Sequence, residues 1–247
     1  MEITSVQSND PGDETQRNFR YQNAYGVILL TQAVKGAKPY TAIWCEHHED
    51  LLAECNDGTL DAYQIKTQRP EEDLWSLKDE PLWKSIKRFV SLYKSFQDRI
   101  RNYFFVSNVD FPKPSQFRDS VKPGKYANNP TALIYNIHSI SNLADLDLAF
   151  IGSYKQLAAN CDCSEEELFT VLRLTHLVLG PSRQDFDAVI AHEHLGKLEV
   201  CSKLFTRALN VVRDELVMKI YQASSLYVDD PDRHTTPVFS QRHVHPE

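Results

Sequence analysis

Apolar residues recur at helical and strand spacings along the first half of the chain. In residues 17–34 they follow the i, i+3, i+4, i+7 spacing of an amphipathic helix, and Gly36 supplies a stop signal. Residues 40–45 form a compact β-prone run. A second apolar stripe predicts a helix from Pro81 to about Ile100, and an aromatic run over residues 102–108 predicts a buried strand.

Residues 46–66 contain two short apolar runs around an Asn56-Asp57-Gly58 turn signal, which predicts a β-hairpin. Residues i and i+2 of a strand point to the same face, so Gln64 and Lys66 are expected side by side. The predicted order of elements over the first 110 residues is therefore α-β-β-β-α-β.

The acidic residue that faces Gln64 and Lys66 depends on the turn. A two-residue loop would set Glu49 opposite Lys66, whereas a three-residue loop with Gly58 in the left-handed conformation sets Asp50 opposite Gln64. We prefer the three-residue loop, because it separates the polar set from an apolar face. That apolar face comprises Leu51, Ala53, Tyr63 and Ile65.

An acid, an amide and an amine on one face of a hairpin suit metal-assisted phosphodiester hydrolysis. Carboxylate, amide and backbone carbonyl oxygens are hard ligands of the kind that Mg²⁺ prefers. A neighbouring ammonium can orient the nucleophile or stabilise developing negative charge. The alternative is a polar edge hairpin in which Asp50 and Lys66 are simply solvated.

Basic residues on the predicted second helix lie away from its apolar stripe. They could bind DNA phosphates through counterion release, or they could form an ordinary solvated helix face. The residues are Lys84, Lys87, Arg88 and Lys94.

Helical patterns dominate the second half of the chain. Residues 111–130 are rich in Pro, Lys, Asn and Ser, and this composition predicts a long loop. Ser164 and Glu167 form a capping box before one helix, residues 181–185 introduce another, and residues 201–222 form a long amphipathic helix. These helices either pack on the first half or form an oligomer interface.

Cysteine and histidine spacings give no metal site. Cys161 and Cys163 are the only close cysteine pair, with no second pair or nearby histidine to complete a zinc site. His192 and His194 are two residues apart, so they do not share a helix face, and we interpret them as a surface cluster. His243 and His245 fall in the C-terminal tail.

Bulk composition is typical of a globular protein. The 247 residues are 42% hydrophobic and 25% charged, and 27 Lys plus Arg against 34 Asp plus Glu give a formal charge of −7. A DNA-binding surface would therefore have to be local. Five cysteines, an odd number, together with the absence of a signal-like or membrane-spanning apolar run, predict a cytoplasmic protein without membrane contact.

With these residues in place, the sequence resembles a PD-(D/E)xK nuclease. It is similar to the endonuclease domain of bacterial anti-phage (CBASS) effectors, which are often fused to a SAVED cyclic-oligonucleotide sensor. The resemblance covers the chain through about residue 110. The matching segments are Arg17-Asn-Phe-Arg-Tyr-Gln22, Glu46-x-x-x-Asp50, Tyr63-Gln-Ile-Lys-Thr67 and Val106-Ser-Asn108.

The resemblance implies roles for individual residues. Asp50 and Gln64 would bind Mg²⁺ or Mn²⁺, and Lys66 would support the attacking water. Glu46 and Gln22 would be accessory ligands or would orient the ligands. The sequence departs from the commonest family pattern at Gln64, where Asp or Glu usually stands, so either the metal affinity is lower or Glu46 or Glu49 contributes charge.

The predicted organisation follows from these elements. Residues 1–15 form a flexible N-terminus, residues 16–110 a restriction-endonuclease-like α/β core, residues 111–225 a mainly helical extension, and residues 226–247 an exposed tail or linker. The expected function is metal-dependent, low-specificity cleavage of double-stranded DNA in anti-phage defence, activated by homo-oligomerisation. Expected partners are a cyclic-oligonucleotide sensor domain or a ring ATPase. The alternative is a catalytically weak DNA-binding or assembly module.

Overall fold

A mixed β-sheet with helices on both faces forms the centre of the protein. The computed structural model describes residues 11–45, 50–69, 71–116, 123–225 and 239–240. Strands of five to eight residues occupy five neighbouring positions, and the two-residue strand Phe239–Ser240 adds a sixth at one edge. None of the helices in these ranges is long and apolar enough to cross a membrane.

The first half contains the predicted order of elements. They are α1 (Pro11–Val34), β1 (Tyr40–Cys45), β2 (Asp50–Cys55), β3 (Leu60–Lys66), α2 (Glu80–Phe96) and β4 (Ile100–Ser107). α1 begins six residues before the predicted start, within the stretch that was predicted to be flexible. α2 ends at Phe96 rather than near Ile100, because Gln97 takes a positive φ of 46°.

The β2–β3 hairpin has the register that the three-residue turn predicts. The Cys55 amide donates to the Thr59 carbonyl at 2.8 Å, and Gly58 has a φ of 80°. This left-handed conformation is one that glycine adopts without a steric penalty. Asp50 pairs with Gln64. The four residues predicted on the apolar face are all buried in one cluster: Leu51, Ala53, Tyr63 and Ile65.

The second half of the chain is mainly helical, and it also contributes a strand to the sheet. β5 (Thr175–Leu179) pairs in parallel with β4, which itself pairs in parallel with β3. β1, β2 and β3 are antiparallel, and the strand order is β5-β4-β3-β2-β1-β6. The helices between β4 and β5 form the crossover that parallel neighbours require.

The helices of the second half differ in part from the prediction. The structure places α3 inside the predicted loop of residues 111–130, and the capping box of Ser164 and Glu167 begins α6 as expected. The segment after residue 185 is a short helix followed by the π-helix Val189–His194, and the last helix begins at Thr206 rather than at Cys201. The helices are α3 (Pro123–Ala127), α4 (Pro130–Ser139), α5 (Ile151–Cys161), α6 (Glu165–Arg173), α7 (Phe186–Ala188) and α8 (Thr206–Ser225).

Both faces of the sheet are covered by apolar packing. One face packs against α1, α7 and α8, and the opposite face packs against α2, α4, α5 and α6. The helices of the second half therefore pack on the first half. β3 is buried along nearly its whole length as a result.

A buried carboxylate joins four strands at the amino end of β3. Asp61 is fully buried and accepts hydrogen bonds from Tyr40 on β1, at 2.7 Å, and from Asn102 on β4, at 3.0 Å. Arg101 makes a bidentate pair with the same carboxylate at 3.0 and 2.5 Å. His176 on β5 lies 3.1 Å from the Asn102 side-chain oxygen. Burial raises the pKa of Tyr40 well above its usual range, so this phenol stays protonated and donates.

We expect Asp61→Ala to lower the free energy of unfolding by roughly 3 kcal/mol, because it leaves the Arg101 guanidinium and the Tyr40 hydroxyl without their acceptor. Chemical denaturation followed by circular dichroism measures the change. Asp145→Ala, which removes an exposed carboxylate, is the control and should stay within about 0.5 kcal/mol. An equal loss in both variants would contradict this account of the network.

Candidate active site

A cleft of about 490 Å³ opens where β3 ends. Its floor is the end of β3 and the residue that follows, one wall is the first turns of α1, and the other wall is the start of α2. Its lining residues are Thr15, Asn18, Phe19, Gln22, Gln64, Ile65, Lys66, Thr67, Glu80, Pro81, Lys84, Ser85 and Arg88. Three of the predicted site residues, Gln22, Gln64 and Lys66, therefore meet in one cleft.

Gln64 is nearly fully buried, with 4% of its surface exposed. Its side-chain oxygen lies 3.3 Å from the hydroxyl of Ser85 on α2. That hydroxyl also lies 2.7 Å from the Pro81 carbonyl oxygen. A serine has a single proton to donate, and the shorter contact is the better hydrogen bond. The Gln64 oxygen therefore keeps its lone pairs for another partner.

Gln22 connects α1 to the end of β3. Its side-chain amide donates to the Ile65 carbonyl oxygen at 3.0 Å, between Gln64 and Lys66 in sequence. One turn earlier on α1, Asn18 accepts a hydrogen bond from the Thr67 hydroxyl. Because these two residues of α1 are four apart, both face β3, and they fix the helix against the cleft floor.

Lys66 is half-buried at the last position of β3 and lines the cleft. Gln64 lies two residues before it, so both side chains leave the same face of the strand. The other polar groups of this edge are tied to the sheet: Asn108 makes two hydrogen bonds with the backbone of Gln68, at 2.8 and 2.9 Å. The ends of β3 and β4 are therefore rigidly joined beside the lysine.

For Asp50, the predicted acidic partner of Gln64 and Lys66, the structure gives the backbone position only. Asp50 is the first residue of β2 and pairs with Gln64, but its side chain lies outside the described part of the molecule. Glu46 and Glu49 also fall outside the described residues. Among the described residues, no group of three or more His, Cys, Asp or Glu side chains forms a metal-binding cluster.

The four basic residues predicted on α2 divide into two pairs. Lys84 and Arg88 are one helical turn apart and line the cleft. Lys94 pairs with Glu167 of α6 at 3.5 Å, and Lys87 is exposed. Neither Lys87 nor Lys94 lines the cleft, so half of the predicted basic surface lies outside it.

Sequence reasoning missed Ser85, Asn18 and Glu80 as cleft residues. Glu80 brings a carboxylate to the cleft and pairs with Lys84 at 2.6 Å, with both side chains exposed. Ser85 could have been found, because a polar residue there interrupts the apolar stripe of α2. Asn18 could have been found from its spacing to Gln22. Glu80 gives no comparable signal, since acidic residues are ordinary in the first turn of a helix.

The histidine and cysteine pairs lie outside the cleft. His194 is half-buried in the π-helix with Nδ1 3.4 Å from the Thr31 hydroxyl, and burial lowers its pKa. His192 is exposed. Cys161 and Cys163 are free thiols whose pKa values are raised by burial. None of these four residues lines the cleft.

Comparison with known proteins identifies the first half of the chain. Residues 10–131 match the family model of the Cap4 dsDNA endonuclease domain. No curated protein matches the chain.

Two solved structures cover most of this chain at low identity. The Cap4 SAVED/CARF-domain containing receptor of Moraxella osloensis is 17% identical with a TM-score of 0.47. The matched region covers 84% of this chain and 43% of the receptor. The corresponding receptor of Acinetobacter baumannii, with the cyclic trinucleotide 2'3'3'-cAAA, is 12% identical with a TM-score of 0.48. The matched region covers 84% of this chain and 41% of the receptor. The chain spans less than half the length of these structures.

The family match agrees with the resemblance carried by residues 17–22, 46–50, 63–67 and 106–108, and its segment contains α1, the β1–β3 strands, α2 and β4. Residues 10–131 of this chain are therefore similar to the Cap4 dsDNA endonuclease domain, a domain of the PD-(D/E)xK nuclease superfamily.

Proposed function

We propose that this protein is a Mg²⁺-dependent endonuclease that cleaves double-stranded DNA with little sequence specificity in bacterial anti-phage defence. The observation that carries the proposal is the meeting of Gln22, Gln64 and Lys66 in one cleft, in a register that pairs Asp50 with Gln64. The α-β-β-β-α-β order around this cleft, with β4 parallel to β3, supports the proposal because it is compatible with a restriction-endonuclease-like core.

The donor atoms of the cleft fit a hard divalent cation. Gln64 and Ile65 line the cleft, so the Gln64 side-chain oxygen and the Ile65 carbonyl oxygen are its candidate neutral ligands, and Asp50 would supply a carboxylate. Oxygen ligands of this kind suit Mg²⁺ or Mn²⁺, which keep several waters when bound to few protein groups. When bound, the cation would supply an activated water and offset the charge of the phosphate.

Lys66 would act on the water and the phosphate. Its ammonium leaves the same strand face as Gln64, so it is placed to orient the attacking water or to stabilise charge that develops in the transition state. Gln22 would hold the Ile65 carbonyl in position through its 3.0 Å hydrogen bond. Lys84 and Arg88 on the α2 wall would bind DNA phosphates.

Gln64 makes the charge balance of the site unusual. A neutral amide offsets less of the cation's charge than the usual carboxylate does. We propose that Glu46 or Glu49, on the chain just before β2, supplies the additional charge. This assignment follows the resemblance and the sequence, since both residues lie outside the described part of the molecule.

Regulation would come from outside the endonuclease domain. We propose that self-association brings two or more clefts onto one duplex, in the cytoplasm. The similar Moraxella and Acinetobacter proteins are SAVED/CARF-domain containing receptors, one of them with a cyclic trinucleotide. We propose a cyclic-oligonucleotide sensor domain, or a ring ATPase, as the partner of this chain.

We expect Lys66→Ala to lower the rate of plasmid cleavage by about 100-fold to 1,000-fold, because it removes a cation that stabilises the transition state. Asp50→Ala should be equally inactive, because it removes a metal ligand. Conversion of supercoiled plasmid to nicked and linear forms, with and without Mg²⁺, measures the rates. Lys155→Ala, an exposed lysine on α5, is the matched control and should cleave as wild type does.

A wild-type protein that shifts DNA in a gel but leaves plasmid intact at high concentration would refute the endonuclease. In that case the chain is a DNA-binding or assembly module. Cleavage that survives both Asp50→Ala and Lys66→Ala would instead show that a different site performs the chemistry.

We expect Gln64→Glu to lower the Mg²⁺ concentration needed for half-maximal cleavage, because a carboxylate replaces a neutral ligand at the cation. Gln64→Ala should raise that concentration or abolish cleavage. Calorimetric titration with Mg²⁺ in the absence of DNA checks the change in affinity independently of activity. Unchanged Mg²⁺ affinity in both variants would exclude Gln64 as a ligand; Gln156→Ala, on the surface of α5, is the control.

A further inference from the structure

Three arginines surround one carboxylate next to the cleft. The Glu14 carboxylate accepts a hydrogen bond from Arg183 at 2.6 Å and lies 3.9 Å from Arg69. Arg17, one turn further along α1, also acts on it electrostatically. The hydrogen bond and charge of Arg183, together with the two other arginines, hold the pKa of Glu14 below its usual range, so it is ionised near neutral pH.

This cluster lies beside the α1 wall of the cleft, and its own four residues do not line the cleft. Thr15, the neighbour of Glu14, lines the cleft, and so does Thr67, two residues before Arg69. The hydrogen bond between Thr67 and Asn18 joins the two segments. The arginines therefore stand on the side of β3 opposite to Lys84 and Arg88, which line the α2 wall.

Arg183 comes from the second half of the chain and is held firmly. The segment after β5 is attached to the sheet by the Gly180 amide, which donates to the Ser107 carbonyl at 2.7 Å. The Tyr21 hydroxyl of α1 donates to the Pro181 carbonyl at 2.7 Å. A Cβ at position 180 would lie 2.5 Å from that hydroxyl, so only glycine allows this close approach. Arg183 is 16% exposed, whereas Arg69 is 45% exposed.

Among the side chains that the structure describes in this cluster, three guanidiniums stand against the single carboxylate of Glu14. One carboxylate needs one guanidinium, and exposed ion pairs add little stability. The described cluster therefore carries an excess of positive charge in a protein whose formal charge is −7. Arginines gathered in this way are suited to planar, bidentate recognition of phosphate oxygens.

We propose that Arg17, Arg69 and Arg183 bind backbone phosphates of duplex DNA on the α1 side of the cleft, and that Glu14 limits their affinity by competing for Arg183. The inference rests on the proposed function for the identity of the nucleic acid. Together with Lys84 and Arg88 on the α2 wall, these arginines would contact phosphates on both sides of the DNA strand that enters the cleft. The second half of the chain thereby completes the DNA-binding surface.

Salt dependence of binding tests the arginines. The logarithm of the binding constant falls with the logarithm of salt concentration, with a slope of about −0.9 for each phosphate contact on duplex DNA. We expect Arg17→Ala and Arg69→Ala each to make this slope shallower by about 0.9 and to weaken binding at every salt concentration. Fluorescence anisotropy with the full chain, a labelled duplex and EDTA measures binding without cleavage.

Glu14→Gln tests the competition for Arg183, and its expected effect on DNA affinity is opposite to that of the arginine variants. Removing the carboxylate frees Arg183, so we expect several-fold tighter binding and a slope steeper by about 0.9. Arg183 is the most buried of the three, so Arg183→Lys is used in place of alanine, and melting temperatures establish that each variant is folded. Lys155→Ala and Arg207→Ala, both exposed and on α5 and α8, control for the loss of one positive charge.

The outcomes separate this inference from the proposed function. Slopes for Arg17→Ala and Arg69→Ala equal to those of the two controls would overturn the phosphate site, even if wild type cleaves plasmid. Shallower slopes, together with a wild type that cleaves nothing, would support the phosphate site and refute the endonuclease. Wild type that binds no duplex at any salt concentration would overturn both.

Discussion

The left-handed turn at Gly58 is the constraint on which the site depends. It fixes the three-residue loop between β2 and β3, and so it decides which face of β3 each side chain takes. A shift of one residue would turn Gln64 and Lys66 toward α1 and bring apolar residues to the cleft. The turn therefore determines, from one end of the hairpin, the chemistry available at the other.

β3 carries the two polar centres of the protein at its opposite ends. At its amino end Asp61 is fully buried and satisfied by partners on β1 and β4, which locks the strand between its neighbours. At its carboxyl end Gln64 and Lys66 face a cleft between α1 and α2. The satisfied carboxylate gives rigidity, while the oxygens of the cleft keep capacity for a ligand. This division fits a site that has to be preorganised on a rigid element.

The second half of the chain packs on the first half and extends its sheet. It adds β5 to the sheet beside β4 and covers α1 with α8. It also presents Arg183 to the α1 wall of the cleft through a tightly packed turn at Gly180.

The sequence by itself determined the α-β-β-β-α-β order, the turn at Gly58, the face shared by Gln64 and Lys66, and the capping box at Ser164, because each depends on contacts within a few residues. Only the tertiary structure placed β5, since its five residues pair with a strand far away in the chain and carry no local turn signal. Only the tertiary structure divided the basic residues of α2 and gathered Arg17, Arg69 and Arg183 around Glu14. Those groupings depend on which helices pack together, and periodicity along one element does not contain that information.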